Sequence, residues 1–251
     1  MAGIQPQGAI SLGLGGISSM DTKDWAIFNN PAGLANIQSL SGIVGYQTIL
    51  DFSPFNSAAA GINIPNRGGT LALGISRFGD ELFNTQTINF GFARKIGIMS
   101  LGIKTNVLQI NIDGFGKRSI FISEIGGLAD LTPNLTLGTH IYNFTQSRVS
   151  PNTLEKIPTI IRLSVDYHPT DLLNIYTEIE KDVELNPNIK FGLAYQLIES
   201  LTLRTGISTA LGSHSFGSRL IIKRFQIDYA VLANRGIGTQ HSFGLTYKMV
   251  Q

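Results

Sequence analysis

The chain has no cysteine, so neither a disulfide framework nor a thiolate metal site can be built from it. It is also poor in charge. Lys and Arg number 19 and Asp and Glu 17, together 14% of 251 residues, where a soluble domain carries roughly 25%. The resulting net charge of +2 gives no basic footprint for nucleic acid. Aliphatic runs such as Ile160-Ile161 and Leu220-Ile221-Ile222 are only two or three residues long, against the roughly 20 that a membrane helix needs. The opening Met1-Ala2-Gly3-Ile4-Gln5-Pro6 lacks the basic start and apolar core of an export signal. That leaves a cytosolic protein or an exported one whose leader has been removed, and the pattern of the rest decides between them.

Glycine is in excess, 28 of 251 residues, about 11% against a usual value near 7%. With 43% hydrophobic residues and a mean hydropathy of +0.14, charge has been traded for Gly, Ser, Thr and Asn. This composition excludes intrinsic disorder, which needs low hydrophobicity and high charge.

Residues 1–38 form a distinct, glycine-rich opening, and from about residue 40 the texture is uniform. Large side chains take every second position in Ile161-Arg162-Leu163-Ser164-Val165-Asp166-Tyr167, in Ile189 to Tyr195, in Phe225 to Val231 and in Phe243 to Met249. This is the period-two signature of strands. Fourteen such segments are predicted, near 40–50, 56–64, 70–78, 85–94, 98–110, 118–129, 134–144, 158–167, 172–181, 188–197, 201–208, 213–222, 225–233 and 240–249. The weakest is 118–129, where Ile120-Phe121-Ile122 blurs the alternation. Alternate connections are mostly tight turns and the others mostly longer, 145–157 the longest. Outer-membrane barrels sort their loops this way, with short turns on the periplasmic side.

One strand face is large and apolar; the other is small and holds nearly all the strand charge, including Lys104, Glu180 and Lys248. About fourteen strands enclose a lumen too wide for side chains to fill, so the apolar face has to meet lipid. A Lys or Arg in mid-bilayer would cost about 2–4 kcal/mol there, and closure removes the unpaired edges that hydrocarbon cannot tolerate. The fold expected is an all-β, antiparallel up-and-down transmembrane barrel of about fourteen strands in the bacterial outer membrane. Its leader would be removed and both termini would be periplasmic.

Asn30-Pro31-Ala32-Gly33-Leu34, preceded by Gly13-Leu14-Gly15-Gly16, resembles the N-terminal segment of the FadL-like barrels, with the likeness strongest to their PorV/PorQ branch of Bacteroidota. Leu135 to Gly138, the Arg204-Thr205-Gly206 strand, and Asp228-Tyr229-Ala230 followed by His241-Ser242 extend the resemblance along most of the chain. It implies a division into an N-terminal segment, 1–38, folded into the lumen as a hatch, and a barrel, 39–251. Asn30, Pro31, Ala32 and Gly33 would be the hatch motif. The terminal Met249-Val250-Gln251 departs from the pattern by lacking the aromatic usual at the end of an outer-membrane strand.

Inward charges of both signs, Arg162, Asp166, Glu178, Lys190, Arg204, Arg219 and Asp228, are expected to form ion pairs that lock strands to the hatch, in preference to a selective pore lining. The glycines around Gly15 are expected to let the hatch turn tightly. They are not read as a phosphate cradle, because no βαβ unit surrounds them. Asp24 to Phe28 is expected to make one helical turn before Pro31, putting Trp25 and Phe28 inside the barrel. His140, His168, His214 and His241 lack metal-ligand spacing; His140 and His214 are expected to pair with lumenal carboxylates and His168 to sit in a turn. Ser18-Ser19, Ser41 and Ser213-His214-Ser215 lack a nucleophile elbow. No enzyme, cofactor, metal or nucleotide site is therefore expected.

The branch implies an accessory subunit of a larger outer-membrane machine, either a type IX secretion translocon or a barrel-assembly complex. Its partners would be a larger barrel and the surrounding lipid or lipopolysaccharide. Phe52 and Phe55 in loop 51–55, with Arg148 and Leu154 in the longest loop, are the partner-loop candidates. The alternative is a transporter of small hydrophobic molecules. It predicts an apolar path through the lumen and a lateral opening, and both short loops and polar inward positions argue against it.

Overall fold

A computed structural model describes residues 7–49, 55–149, 157–183, 185–234 and 238–249. Fourteen strands are present where the alternation predicts them: β1 (Ser41–Ile49), β2 (Ser57–Asn66), β3 (Gly69–Gly79), β4 (Phe83–Ile96), β5 (Met99–Ile112), β6 (Gly116–Thr132), β7 (Leu135–Tyr142), β8 (Ile160–Thr170), β9 (Leu173–Asp182), β10 (Asn188–Ile198), β11 (Leu201–Ser208), β12 (Ser213–Ile222), β13 (Phe225–Asn234) and β14 (Gly238–Lys248). Each pairs antiparallel with its neighbours, and β1 closes on β14 from Ser41 opposite Lys248 to Ile49 opposite Gln240. The blurred segment is the longest strand, with 17 residues in β6. Every connection from an even to an odd strand is a two-residue turn, as in Arg67-Gly68 and Lys223-Arg224, and the others are longer. The barrel thus has a turn end and a loop end.

Outward positions are large and apolar, such as Leu71, Leu73 and Ile75 on β3 and Ile189, Phe191, Leu193 and Tyr195 on β10, all exposed. Such a wall is stable in hydrocarbon and costly in water. Inward positions at the waist are small. Gly45 stands opposite Gly244, Gly61 opposite Gly74, Gly102 opposite Gly126 and Gly192 opposite Gly206. These cross-strand pairs leave no side chains in the middle of the lumen, and residues 7–40 fill that space.

The filling segment runs through a short helix α1 (Ala9–Gly13) and two 3-10 turns, Asp24–Ile27 and Pro31–Asn36. Its Ile10, Leu14, Ile17, Met20, Trp25, Ile27 and Leu34 form the main apolar core with small wall residues such as Ala59, Ala72 and Ala194. Gly15 and Gly16 have φ of 73° and 84°, the left-handed turn that glycine makes without strain. Trp25, 1% exposed, lies over the Gly45–Gly244 pair; a Cβ on Gly45 would come within 2.4 Å of its ring.

Candidate functional site

The hatch motif is held by both shape and hydrogen bonds. Asn30 caps its 3-10 turn by accepting from Ala32 N at 3.0 Å, and Pro31 supplies a fixed φ at the first helical position. The Asn30 amide donates to Ser19 O at 2.6 Å and to Thr139 O at 3.1 Å. It fits because β6 and β5 carry glycine beneath it. A Cβ on Gly126 would lie 1.8 Å from Asn30 Oδ1, and one on Gly102 would lie 2.3 Å from Pro31 C. Gly33 is required as well, since a Cβ there would meet Asp21 O at 1.8 Å.

Beside the motif, strand charges join into a continuous chain. Lys104 Nζ and His140 Nε2 contact Glu124 Oε2 at 2.9 and 2.7 Å, while Asn106, itself bonded by Asn89 at 2.6 Å, donates to Glu124 Oε1. Arg162 NH1 donates to His140 Nδ1 at 3.1 Å, so His140 is the neutral tautomer with its proton on Nε2, facing Glu124. Arg162 Nε reaches Glu180 at 2.6 Å, and Lys190 bridges Glu180 and Glu178 at 3.0 and 2.8 Å. Glu178 then accepts from Ser18 N and Ser19 N at 3.0 and 2.8 Å, and Lys190 donates to Gly16 O at 2.9 Å. Three cations face three carboxylates, nearly all buried. This balance disfavours a single-sign pore lining and ties the hatch to β9 and β10.

Of the predicted lumenal charges, Arg162, Glu178 and Lys190 belong to this chain. Arg204, Arg219 and Asp228 form a second cluster in which Arg219 grips Asp228 with two nitrogens, at 3.0 and 2.9 Å, and Arg204 adds a third contact at 2.9 Å. Asp166 stands apart, bonded by Asn174 at 3.1 Å. Glu124 was missed as a site residue, although its place on the inward face of a weakly alternating strand was the available signal. His140 pairs with a carboxylate as expected. His214 does not: it faces outward and is exposed near the loop end of β12. His168 sits by the β8–β9 turn and its Nε2 contacts Pro133 O.

Among the described residues, cavities lie on both sides of the hatch. One, of ≈ 50 Å³, lies toward the loop end, lined by Phe28, Phe78, Leu108, Ile122, Tyr142 and the Lys104–Glu124–His140 group. Another, of ≈ 90 Å³, lies toward the turn end, between Leu14, Met20, Asp21, Tyr176, Gln196 and Arg204. Burial pushes the Asp21 carboxyl up to about 6, against the pull of its hydrogen bonds from Asn29 and Lys23 N.

Above the charged chain the inward face of β5 and β6 changes character. Leu108, Ile120 and Ile122 cluster with Tyr142, Ile157 and Ile160, and Ile110 and Val149 pack against them. The expectation that inward positions are polar or glycine is therefore corrected at the loop end. The predicted lateral opening is not seen among the described residues: all fourteen neighbouring strands are paired. Phe52 and Leu154 lie outside the described residues. Phe55 stacks on Phe78 with ring centroids 6.3 Å apart, at the rim of the loop-end cavity, and Arg148 is exposed.

No protein-family model and no curated protein matches the sequence. Solved structures do match, along nearly the whole chain. The toluene transporter TodX of Pseudomonas putida superposes with a TM-score of 0.73 at 12% identity, covering 97% of each chain. The toluene transporter TbuX of Ralstonia pickettii gives 0.78 at 11% identity, covering 98% of this chain and 99% of that one. A deltaS2 mutant of TodX, described as a monoaromatic hydrocarbon channel, gives 0.72 at 14% identity and 97% of each chain. The fold is that of the FadL-like barrels.

The accessory-subunit expectation is corrected by these matches, which are to hydrocarbon transporters over the full length. The likeness to the PorV/PorQ branch finds no support, and neither do the Bacteroidota source and the secretion role that came with it. The motif that carried the likeness has a local cause: Asn30 to Gly33 is shaped by Gly102, Gly126 and the Asp21 carbonyl. It reports how a hatch packs in a barrel, and it carries no information about an external partner.

Proposed function

We propose that this chain is an outer-membrane channel for small hydrophobic molecules, with the turn end and both termini in the periplasm and any leader removed. The observation that carries the reading is the apolar inward patch of Leu108, Ile120, Ile122, Tyr142 and Ile160 at the loop end. It lines the entrance to a cavity whose floor is the hatch. A barrel that only filled a structural role would have no use for aliphatic side chains facing its own mouth. Lipid covers the outer wall, so these residues are not needed for membrane contact. The toluene transporters of the same fold support the cargo class, a small apolar molecule without charge.

Polar capture is absent from this scheme because the charged chain below is already paired within itself and to the hatch. The cavities of ≈ 50 and ≈ 90 Å³ are separated by hatch residues, so passage requires part of residues 7–40 to shift.

Uptake of labelled toluene by cells making the protein, compared with cells lacking it, tests the reading. Expression is expected to raise initial uptake several-fold, and Leu108→Asn with Ile122→Asn to abolish the gain while the folded barrel persists. Equal uptake with and without the protein would overturn it.

A further inference from the structure

On the outside of the barrel, across β2 to β5 and close to the turn end, the apolar wall opens into a groove of ≈ 410 Å³. The strand register builds it. Ile64, Leu71, Phe92 and Ile103 stand side by side on four successive strands, and Leu73 and Phe90 form the next row. Ala72, Gly91 and Lys104 point inward, so they contribute backbone to its floor. The Phe92 ring tilts toward the turn, where a Cβ on Gly69 would lie 2.9 Å from it.

One row nearer the turn end, opposite Leu101, stands Arg94. Its side chain is exposed, and the next turn along the rim carries Arg67, also exposed. Neither guanidinium has a protein partner among the described residues. By contrast, Lys95 beside them holds Asp130 at 2.7 Å, and each of the lumenal Arg162, Arg204 and Arg219 holds a carboxylate. Two unpaired planar cations at the end of an apolar groove match a phosphate joined to an acyl chain, since guanidinium binds phosphate through paired N–H donors. Any lipid tail will fill such a groove in a bilayer, so the information lies in the charge.

We infer that this is a binding site for an anionic phospholipid of the leaflet at the turn end, its acyl chain between Leu73, Phe90 and Ile103 and its phosphate held by Arg94 and Arg67. The inference rests on the membrane-spanning part of the proposed function and does not depend on the cargo. The Lys223-Arg224 turn across the rim is basic and exposed too, but it lies away from this groove and serves as the control.

The test is native mass spectrometry of the delipidated full chain in a neutral detergent, titrated with dioleoyl phosphatidylglycerol or dioleoyl phosphatidylcholine. Each cation near a membrane surface is worth about a factor of five toward an anionic lipid, so phosphatidylglycerol should bind roughly thirty-fold tighter. Arg67→Gln with Arg94→Gln should bring that ratio close to one, Arg224→Gln should leave it unchanged, and Leu73→Trp should weaken both lipids by filling the groove. Equal affinity of the unaltered chain for the two lipids, or a preference that survives loss of both arginines, would overturn the site. Insertion into phosphatidylcholine vesicles, read by heat-modifiable migration, is scored separately. A chain that fails to insert overturns the membrane reading, whereas one that inserts without lipid preference overturns only this site.

Discussion

The two halves of the hatch are held in different ways. Residues 7–17 lie against β10 to β14 by close approach: a Cβ on Gly206 would sit 2.2 Å from Leu14 C, and Gly13 and Gly217 face each other with little between them. Two side-chain hydrogen bonds from the wall, Gly15 N to Ser215 Oγ at 2.8 Å and Lys190 Nζ to Gly16 O at 2.9 Å, join that packing. Residues 18–36 pack on wall glycines too, at Gly45, Gly102 and Gly126, and add a denser set of polar ties. Glu178 accepts from two backbone amides, Asn63 donates to Asp24 O at 2.9 Å, and Asn30 spans Ser19 O and Thr139 O. Close packing against backbone has no graded response, because the neighbouring atoms cannot move aside singly. Hydrogen bonds can be exchanged for water one at a time. On the proposed function, the half with fewer polar ties is the anchor, and the half with more of them is the one expected to yield to cargo.

The largest effect should come from filling the anchor. Gly206→Val puts a branched side chain into Leu14 backbone, which exceeds the about 1–3 kcal/mol of ordinary overpacking, and no folded, heat-modifiable band is expected. Gly42→Ala, on the same barrel where a Cβ would meet nothing within 4 Å, should fold normally. If Gly206→Val folds and binds its hatch as before, the distinction between the halves is lost.

Next comes the polar tie. Glu178→Ala leaves the Ser18 and Ser19 amides without acceptor and Lys190 with one carboxylate of its two. Removing one member of a buried ion pair costs about 3–5 kcal/mol. Folding should survive, with a lower urea midpoint and raised single-channel conductance in planar bilayers as residues 18–36 loosen. A variant that loses stability but stays electrically closed would show that this half does not gate the lumen. Asn30→Ala should act the same way and more weakly, by about 2 kcal/mol, because it deprives Ser19 O and Thr139 O of their donor.

The anchor and the tie were not equally legible in the sequence. All fourteen strands could be placed because apolar and small residues alternate without long interruptions, and loop asymmetry pointed to closure. β6 was the weak segment for a reason that only the structure supplies: at Ile120 and Ile122 the inward face is apolar, so alternation with Phe121 disappears. The blur was the signature of the apolar mouth. The Asn-Pro-Ala-Gly motif was visible, but its partners are Gly102 on β5, Gly126 on β6 and Thr139 on β7, separated from it by 70 to 110 residues of chain, roughly the reach that makes such contacts invisible to local patterns. Glycine excess is visible as composition; its meaning as cross-strand pairs at one level of the barrel depends on register. Arg94 and Arg67 gave no pattern at all, because their importance lies in lacking partners.

The smallest effect distinguishes the two halves at the point where they meet. Asp21 is buried beside the turn-end cavity, with its carboxyl pushed up to about 6 from an ordinary 3.8. Between those values the folded chain holds a proton that the unfolded chain has released. Stability contributed by this group therefore falls as pH rises from 4 to 6 and is level above 6, at a slope of at most about 1.4 kcal/mol per pH unit. Asp21→Asn removes the titration, so the urea midpoint of the unaltered protein should rise steadily relative to the variant's as pH falls through that window. Because Asp21 accepts from Asn29 at 2.7 Å and from Lys23 N at 3.1 Å, protonation weakens contacts within the hatch while relieving a buried charge. Conductance should then rise on acidification only if Asp21 serves the tie between hatch and wall. Since its hydrogen-bond partners lie on the hatch itself and Arg219 of the wall acts on it through charge alone, the expected outcome is a change in stability with pH and none in conductance. A pH-dependent current that vanishes in Asp21→Asn would assign Asp21 to the yielding half after all.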